Sequence, residues 1–195
     1  MNIIYLHGFR SHPLSFKGQL LKQYLEQNLT SHQLHLPDLN IPPLQVWTYL
    51  SELIEKLDHV VLIGSSFGGF YATQLLAKYA VPVVLINPTV KPWLLFENLF
   101  GQASLPYFIH EQWSLDQQQL FDLENMAQNQ IPKSAQVLLL LQQGDEVLDY
   151  RQAQRYYTAL GCRTISMIET QGNHAMHNFS DKIPMILQFL SDSIK

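Results

Sequence analysis

The chain has 195 residues, 47% of them hydrophobic and 14% charged, with a formal net charge of −4. That balance suits one well-filled globular domain and excludes a disordered chain. With no cluster of Lys or Arg, it also argues against nucleic acid or an anionic membrane surface as partner.

Met1 to Leu6 lacks both a basic region and a long apolar run. Ile3-Ile4-Tyr5-Leu6 therefore reads as a strand of the fold rather than part of a signal peptide. No apolar run has the length needed to span a bilayer, so a cytoplasmic protein is expected. The lone Cys162 excludes an intramolecular disulfide and reads as a small, buried or half-buried filler.

The first strand ends in His7-Gly8-Phe9-Arg10, where a glycine lets the backbone turn closely. Phe16, Leu20, Leu21 and Tyr24 then recur at helical spacing between Ser15 and Asn28. Gln33 to Leu36 alternates as a strand near a sheet edge and stops at Pro37-Asp38, with Pro42-Pro43 closing the loop. Val46, Trp47, Leu50, Leu53, Ile54 and Leu57 form the stripe of an amphipathic helix.

Val60 to Ile63 is a short apolar run suited to a strand covered on both faces. Gly64-Ser65-Ser66-Phe67-Gly68 follows and fits G-x-S-x-G, and a helix runs on from Phe67 to about Tyr79. A serine hydroxyl becomes a nucleophile only when held beside a base and exposed to substrate. A sharp strand-to-helix turn gives that exposure at the cost of a strained serine backbone. Ser66 is the candidate nucleophile. Glycine-rich turns at helix starts also bind phosphate, but neither G-x-x-x-x-G-K-[ST] nor G-x-G-x-x-G occurs in the chain.

Val81 to Ile86 reads as the next strand, closed by Asn87-Pro88. Residues 89–132 then make a longer connection than a simple crossover needs. They read as a small cap or insertion, a pair of helices that packs its aromatics onto the sheet. Trp93, Phe96 and Phe108 are the candidates to line a hydrophobic substrate pocket there. Ala135 to Leu141 is the most apolar strand. Tyr150 to Leu160 is helical, Arg163 to Ile168 is a strand, and Asp181 to Ile194 is a final helix with Pro184 in its first turn. The pattern predicts an α/β fold: six mostly parallel strands, helices on both faces and a short helical insertion.

In such a sheet, functional residues gather at the carboxyl ends of strands. Asp145 follows the strand ending near Leu141, and His174 follows the strand ending near Ile168. Ser66, Asp145 and His174 therefore stand at three strand ends, in the order expected of a serine hydrolase of this architecture. Glu146 and Asp149 are rival acids, and His177 is the rival base. Two backbone N–H groups should form an oxyanion hole, one from Phe67 and one from Phe9, with Arg10 as the close alternative. His7 reads as a support for its loop rather than the base. No histidine pair has metal-ligand spacing, so neither metal nor cofactor is expected.

The chain resembles the α/β-hydrolases, and more narrowly the small bacterial YqiA-type esterases. The likeness rests on I-I-Y-L-H-G-F, I-G-S-S-F-G-G-F-Y-A-T, I-N-P-T-V-K-P, Q-Q-G-D-E-V-L-D-Y and G-N-H-A-M-H-N-F, in order along nearly the whole chain. It implies a minimal version of the fold and hydrolysis of small-molecule acyl esters or thioesters, with the family's triad on Ser66, Asp145 and His174. An amidase or peptidase using the same triad, or a non-catalytic binding protein on the same fold, are the alternatives. Oligomeric state is not readable from the sequence.

Overall fold

A computed structural model describes residues 1–28, 31–101, 103–127 and 130–194. Its centre is a six-stranded sheet in the order β2-β1-β3-β4-β7-β8, every neighbouring pair parallel. The strands are β1 (Asn2–Leu6), β2 (Gln33–His35), β3 (Val60–Ser65), β4 (Val83–Ile86), β7 (Gln136–Gln142) and β8 (Arg163–Glu169). All of β3 is buried, as its unbroken apolar run requires of a strand covered on both sides.

Alternate side chains of each strand feed two cores. Ile3, Val61, Ile63, Val84 and Leu138 face α1 (Phe16–Gln27) and α7 (Phe179–Ser193). Ile4, Leu62, Leu85 and Leu139 face α2 (Pro43–Glu55), α3 (Phe67–Tyr79) and α6 (Tyr150–Ala159). Each fully buried aliphatic side chain contributes roughly 1.5–3 kcal/mol against exposure, so the register of the central strands is strongly fixed. Local signals mark the helix starts. Pro43 opens α2, and Asp149 caps α6 by accepting from the Arg151 N–H at 3.0 Å.

Two expectations are corrected. The insertion is not a plain helix pair: between α4 (Pro92–Phe100) and α5 (Gln117–Met126) lies an antiparallel hairpin, β5 (Tyr107–His110) with β6 (Trp113–Leu115). The hairpin is tied to the body by the Arg10 guanidinium, which donates to the Phe108 carbonyl at 3.2 Å, and by His110 Nε2, which donates to the Asn40 carbonyl at 3.0 Å. Pro184 lies inside α7 rather than in its first turn, because the helix begins at Phe179. The sheet otherwise has the predicted strands, with β2 at one edge. Among the described residues, no helix is long and apolar enough to cross a membrane.

Candidate active site

Ser66 occupies the turn between β3 and α3 with φ 53° and ψ −119°. A non-glycine residue in that region stores about 1–3 kcal/mol of strain, held here by its surroundings. The Ser66 N–H donates to the Ile86 carbonyl at 3.0 Å, and the Ser66 carbonyl accepts from the Thr89 N–H at 3.0 Å and the Gly69 N–H at 2.9 Å. Such a turn needs bare backbone beside it. A Cβ on Gly68 would collide with the Leu6 and His7 carbonyls, and one on Gly64 would lie 2.7 Å from the Gly68 carbonyl oxygen.

His174 and Asp145 converge on this serine from the ends of β8 and β7. Ser66 Oγ lies 2.9 Å from His174 Nε2, and His174 Nδ1 lies 2.8 Å from Asp145 Oδ2. A carboxylate only accepts, so Nδ1 carries the proton and Nε2 is left to accept from the serine hydroxyl. The Asp145 side chain is 2% exposed, and its other oxygen accepts from the Val147 and Leu148 N–H groups at 2.9 and 2.8 Å. These bonds fix the carboxylate plane towards the imidazole.

The rivals have other duties. Glu146 accepts from the His174 backbone N–H at 3.0 Å, and that bond holds its carboxyl below the usual range. Asp149 caps α6. His177 is bonded to Asn173, 2.9 Å away, and stands edge-on to Phe16. His7 is buried, and burial lowers its pKa. It donates from Nδ1 to the Gly8 carbonyl at 2.9 Å and accepts the Leu39 N–H on Nε2 at 3.0 Å. It therefore braces the loop after β1.

That loop lies directly against Ser66. A Cβ on Gly8 would stand 3.2 Å from Ser66 Cβ. Phe9 lines the same cavity as Ser66. Phe67 is the first residue of α3, so its N–H has no acceptor within the helix. The Arg10 guanidinium lies about 5 Å above the Phe100 ring.

A small cavity of about 200 Å³ opens at Ser66, lined among others by Tyr5, Ser15, Lys17, Ser65 and His174. None of Trp93, Phe96 and Phe108 lines it. Phe96 is fully buried behind Phe9 and Phe67, with ring centroids 4.7 and 5.2 Å away. Trp93 stands edge-on to Phe70. Phe108 alternates outward on its short strand and is 62% exposed. A second groove, about 330 Å³, runs between α4 and the β7–α6 loop past Leu94, Leu95, Leu99, Val147 and Leu148. It borders the site through Thr89 and Glu146.

Sequence reasoning missed the framework that holds the His174 loop. Asn87, at φ 41°, donates to the carbonyls of Asn173 and His174 at 3.2 Å each and accepts from the Gln142 N–H at 3.0 Å. Gln142 accepts the Asn173 N–H at 2.7 Å and donates to Glu169 and Asn178. Glu169 is ion-paired with Lys182. Adjacency to strand ends was the available signal, since Asn87 and Gln142 both stand there. Among the described residues, no cluster of three or more His, Cys, Asp or Glu could hold a metal.

The fold is shared with several solved proteins. Alpha/beta hydrolase domain-containing protein 10 from mouse superposes with a TM-score of 0.75 at 14% identity, covering 100% of this chain and 90% of that one. Est1E from Butyrivibrio proteoclasticus, solved with ferulic acid bound, gives 0.71 at 14% identity, over 99% and 89% of the two chains. One of the metagenome-derived lipolytic enzymes LipS and LipT gives 0.69 at 14% identity, over 98% and 93%. Residues 2–191 match the model of the uncharacterised protein family UPF0227. The chain has the α/β-hydrolase fold and belongs to the UPF0227 family.

Proposed function

We propose that this protein is a serine esterase that hydrolyses small acyl esters or thioesters through an acyl-enzyme. The observation that carries the reading is the continuous relay of 2.8 and 2.9 Å contacts from Asp145 through His174 to a strained, cavity-facing Ser66. In this reading residues 1–195 are one hydrolase domain, with 89–132 as a small cap.

His174 Nε2 takes the proton of Ser66 as Oγ attacks the acyl carbonyl. The Phe67 and Phe9 N–H groups receive the oxyanion. As the tetrahedral intermediate collapses, the bond to the leaving alcohol or thiol breaks and His174 returns its proton to that group. Water then attacks the acyl-serine, giving its proton to His174, and the acid departs as Ser66 is reprotonated. Asp145 holds the imidazole tautomer and stabilises its charged form. The groove beside Thr89 mixes Leu94, Leu95 and Leu99 with Lys91, Asn98 and Glu146, and its leucines support an aliphatic substituent on the substrate. The esterase and lipolytic activities named for the structural neighbours support the same chemistry.

The test compares purified protein and Ser66→Ala on a panel of matched acyl esters, thioesters and anilides. Ester or thioester turnover that falls by about ten-thousand-fold in the variant is the expected result. Turnover confined to anilides would establish an amidase instead, and turnover that survives in Ser66→Ala would remove the serine from the mechanism.

A further inference from the structure

The cavity beside Ser66 holds one group that acyl transfer leaves unused. Lys17, the second residue of α1, is 9% exposed and lines the cavity together with Ser66 and His174. Among the described residues its ammonium makes no hydrogen bond and no ion pair; the lysines that do are Lys22, Lys56, Lys78 and Lys182. Buried cations are ordinarily paired. Asp145 is the carboxylate whose field acts on Lys17, but both of its oxygens are already engaged by His174 and by the Val147 and Leu148 N–H groups.

The walls around Lys17 also suit an anion. Ser11, Ser15, Ser65 and the Tyr5 hydroxyl share the cavity, and Ser15 Oγ lies 3.4 Å from that hydroxyl. The first turn of α1 lines it through Ser15, Phe16 and Lys17, and no side chain caps that turn. An uncapped helix start presents free N–H groups and the positive end of the helix dipole. Burial lowers the Lys17 pKa to about 8, which still leaves the ammonium mostly charged at neutral pH.

We infer that Lys17 and the first turn of α1 form a carboxylate-recognition site beside the nucleophile, so that the substrate is a short acyl half-ester whose free carboxylate pairs with Lys17. The inference rests on the esterase reading for the bond that reacts. At about 200 Å³ the cavity lies below the usual range for drug-sized ligands. It therefore suits a small anion on a short spacer rather than a bulky one. A single cation with neutral hydroxyls matches the one charge of a carboxylate.

The probes are monomethyl glutarate and its neutral counterpart methyl 5-oxohexanoate, in which an acetyl group replaces the carboxylate. Binding is measured by calorimetry on Ser66→Ala, which removes the candidate nucleophile, and then on Ser66→Ala carrying Lys17→Met. At least tenfold tighter binding of the anion is expected, abolished by Lys17→Met and largely retained by Lys17→Arg. A Ser15→Ala change, which leaves the cation in place, should weaken the preference about threefold. Equal binding of the two esters, or a preference that survives Lys17→Met, overturns the inference. Fluorophosphonate labelling of Ser66 in the wild-type protein reads the esterase proposal separately. Labelling without anion preference defeats this inference alone, and preference without labelling defeats the esterase reading, and with it the half-ester, while leaving Lys17 as a carboxylate site.

Discussion

Replacing Lys17 by Met should make the protein more stable. The side chain is nine-tenths buried without a direct partner, and its pKa falls from 10.5 to about 8. At about 1.4 kcal/mol per unit, that drop corresponds to about 3 kcal/mol of native-state penalty for the charged form. Methionine keeps an unbranched apolar stem of similar reach and removes the charge. The sign follows from proton binding. Between pH 8 and 10.5 the unfolded chain holds the lysine proton more tightly than the native one, so wild-type stability gains from this group as pH rises. Below pH 8 the penalty is complete. The variant's advantage should therefore be about 2–3 kcal/mol at pH 7, shrink through pH 9 and be nearly gone by pH 10.5. The Tyr5 hydroxyl at the same cavity stays out of this window, because burial pushes it up to about 12. Urea unfolding of both proteins, followed by circular dichroism at pH 7, 8, 9 and 10, measures the difference. A variant less stable than wild type at pH 7, or an advantage that does not change with pH, would refute the assignment of Lys17 as a strained, buried cation.

Asp145→Asn should leave folding nearly intact and lower kcat by about a thousandfold or more, because the imidazole loses its oriented tautomer; Glu146→Gln should reduce kcat by less than tenfold in the same assay. Gly68→Ala should destabilise the fold by about 3 kcal/mol in chemical denaturation, since its Cβ meets fixed carbonyls of the β1 loop. His7→Leu should cost about 2–4 kcal/mol, leaving the Leu39 N–H and Gly8 carbonyl without their side-chain partner. If that variant kept wild-type stability, the loop would not depend on the imidazole.

Where periodicity was long and unbroken, the sequence was readable. The β3 run, the α2 stripe and the apolar β7 each give one local answer, and the parallel sheet follows from their alternation. The elbow was legible because its glycines have a fixed spacing: the turn itself requires Gly64, and the close approach of the Leu6 and His7 carbonyls requires Gly68. The hairpin β5–β6 was not. Its strands are three and four residues long, too short to show a period of two, and Glu111-Gln112 between them carries no turn-forming glycine or asparagine. Phe108 was misplaced for the same reason: its outward face depends on that hairpin. Lys17 looked like an ordinary polar position on an amphipathic helix. It lines a cavity with Ser66 and His174, residues 49 and 157 positions away in the chain. Asn87 and Gln142 likewise acquire their roles only when β4, β7 and the His174 loop come together.

The central claim is that Ser66 is an activated nucleophile. Incubation of the folded protein with a fluorophosphonate, followed by intact mass and peptide mapping beside Ser66→Ala, tests it most directly. One adduct, on Ser66 and absent from the variant, is the predicted result. Well-folded protein that stays unlabelled, or an adduct that persists in Ser66→Ala, would contradict it.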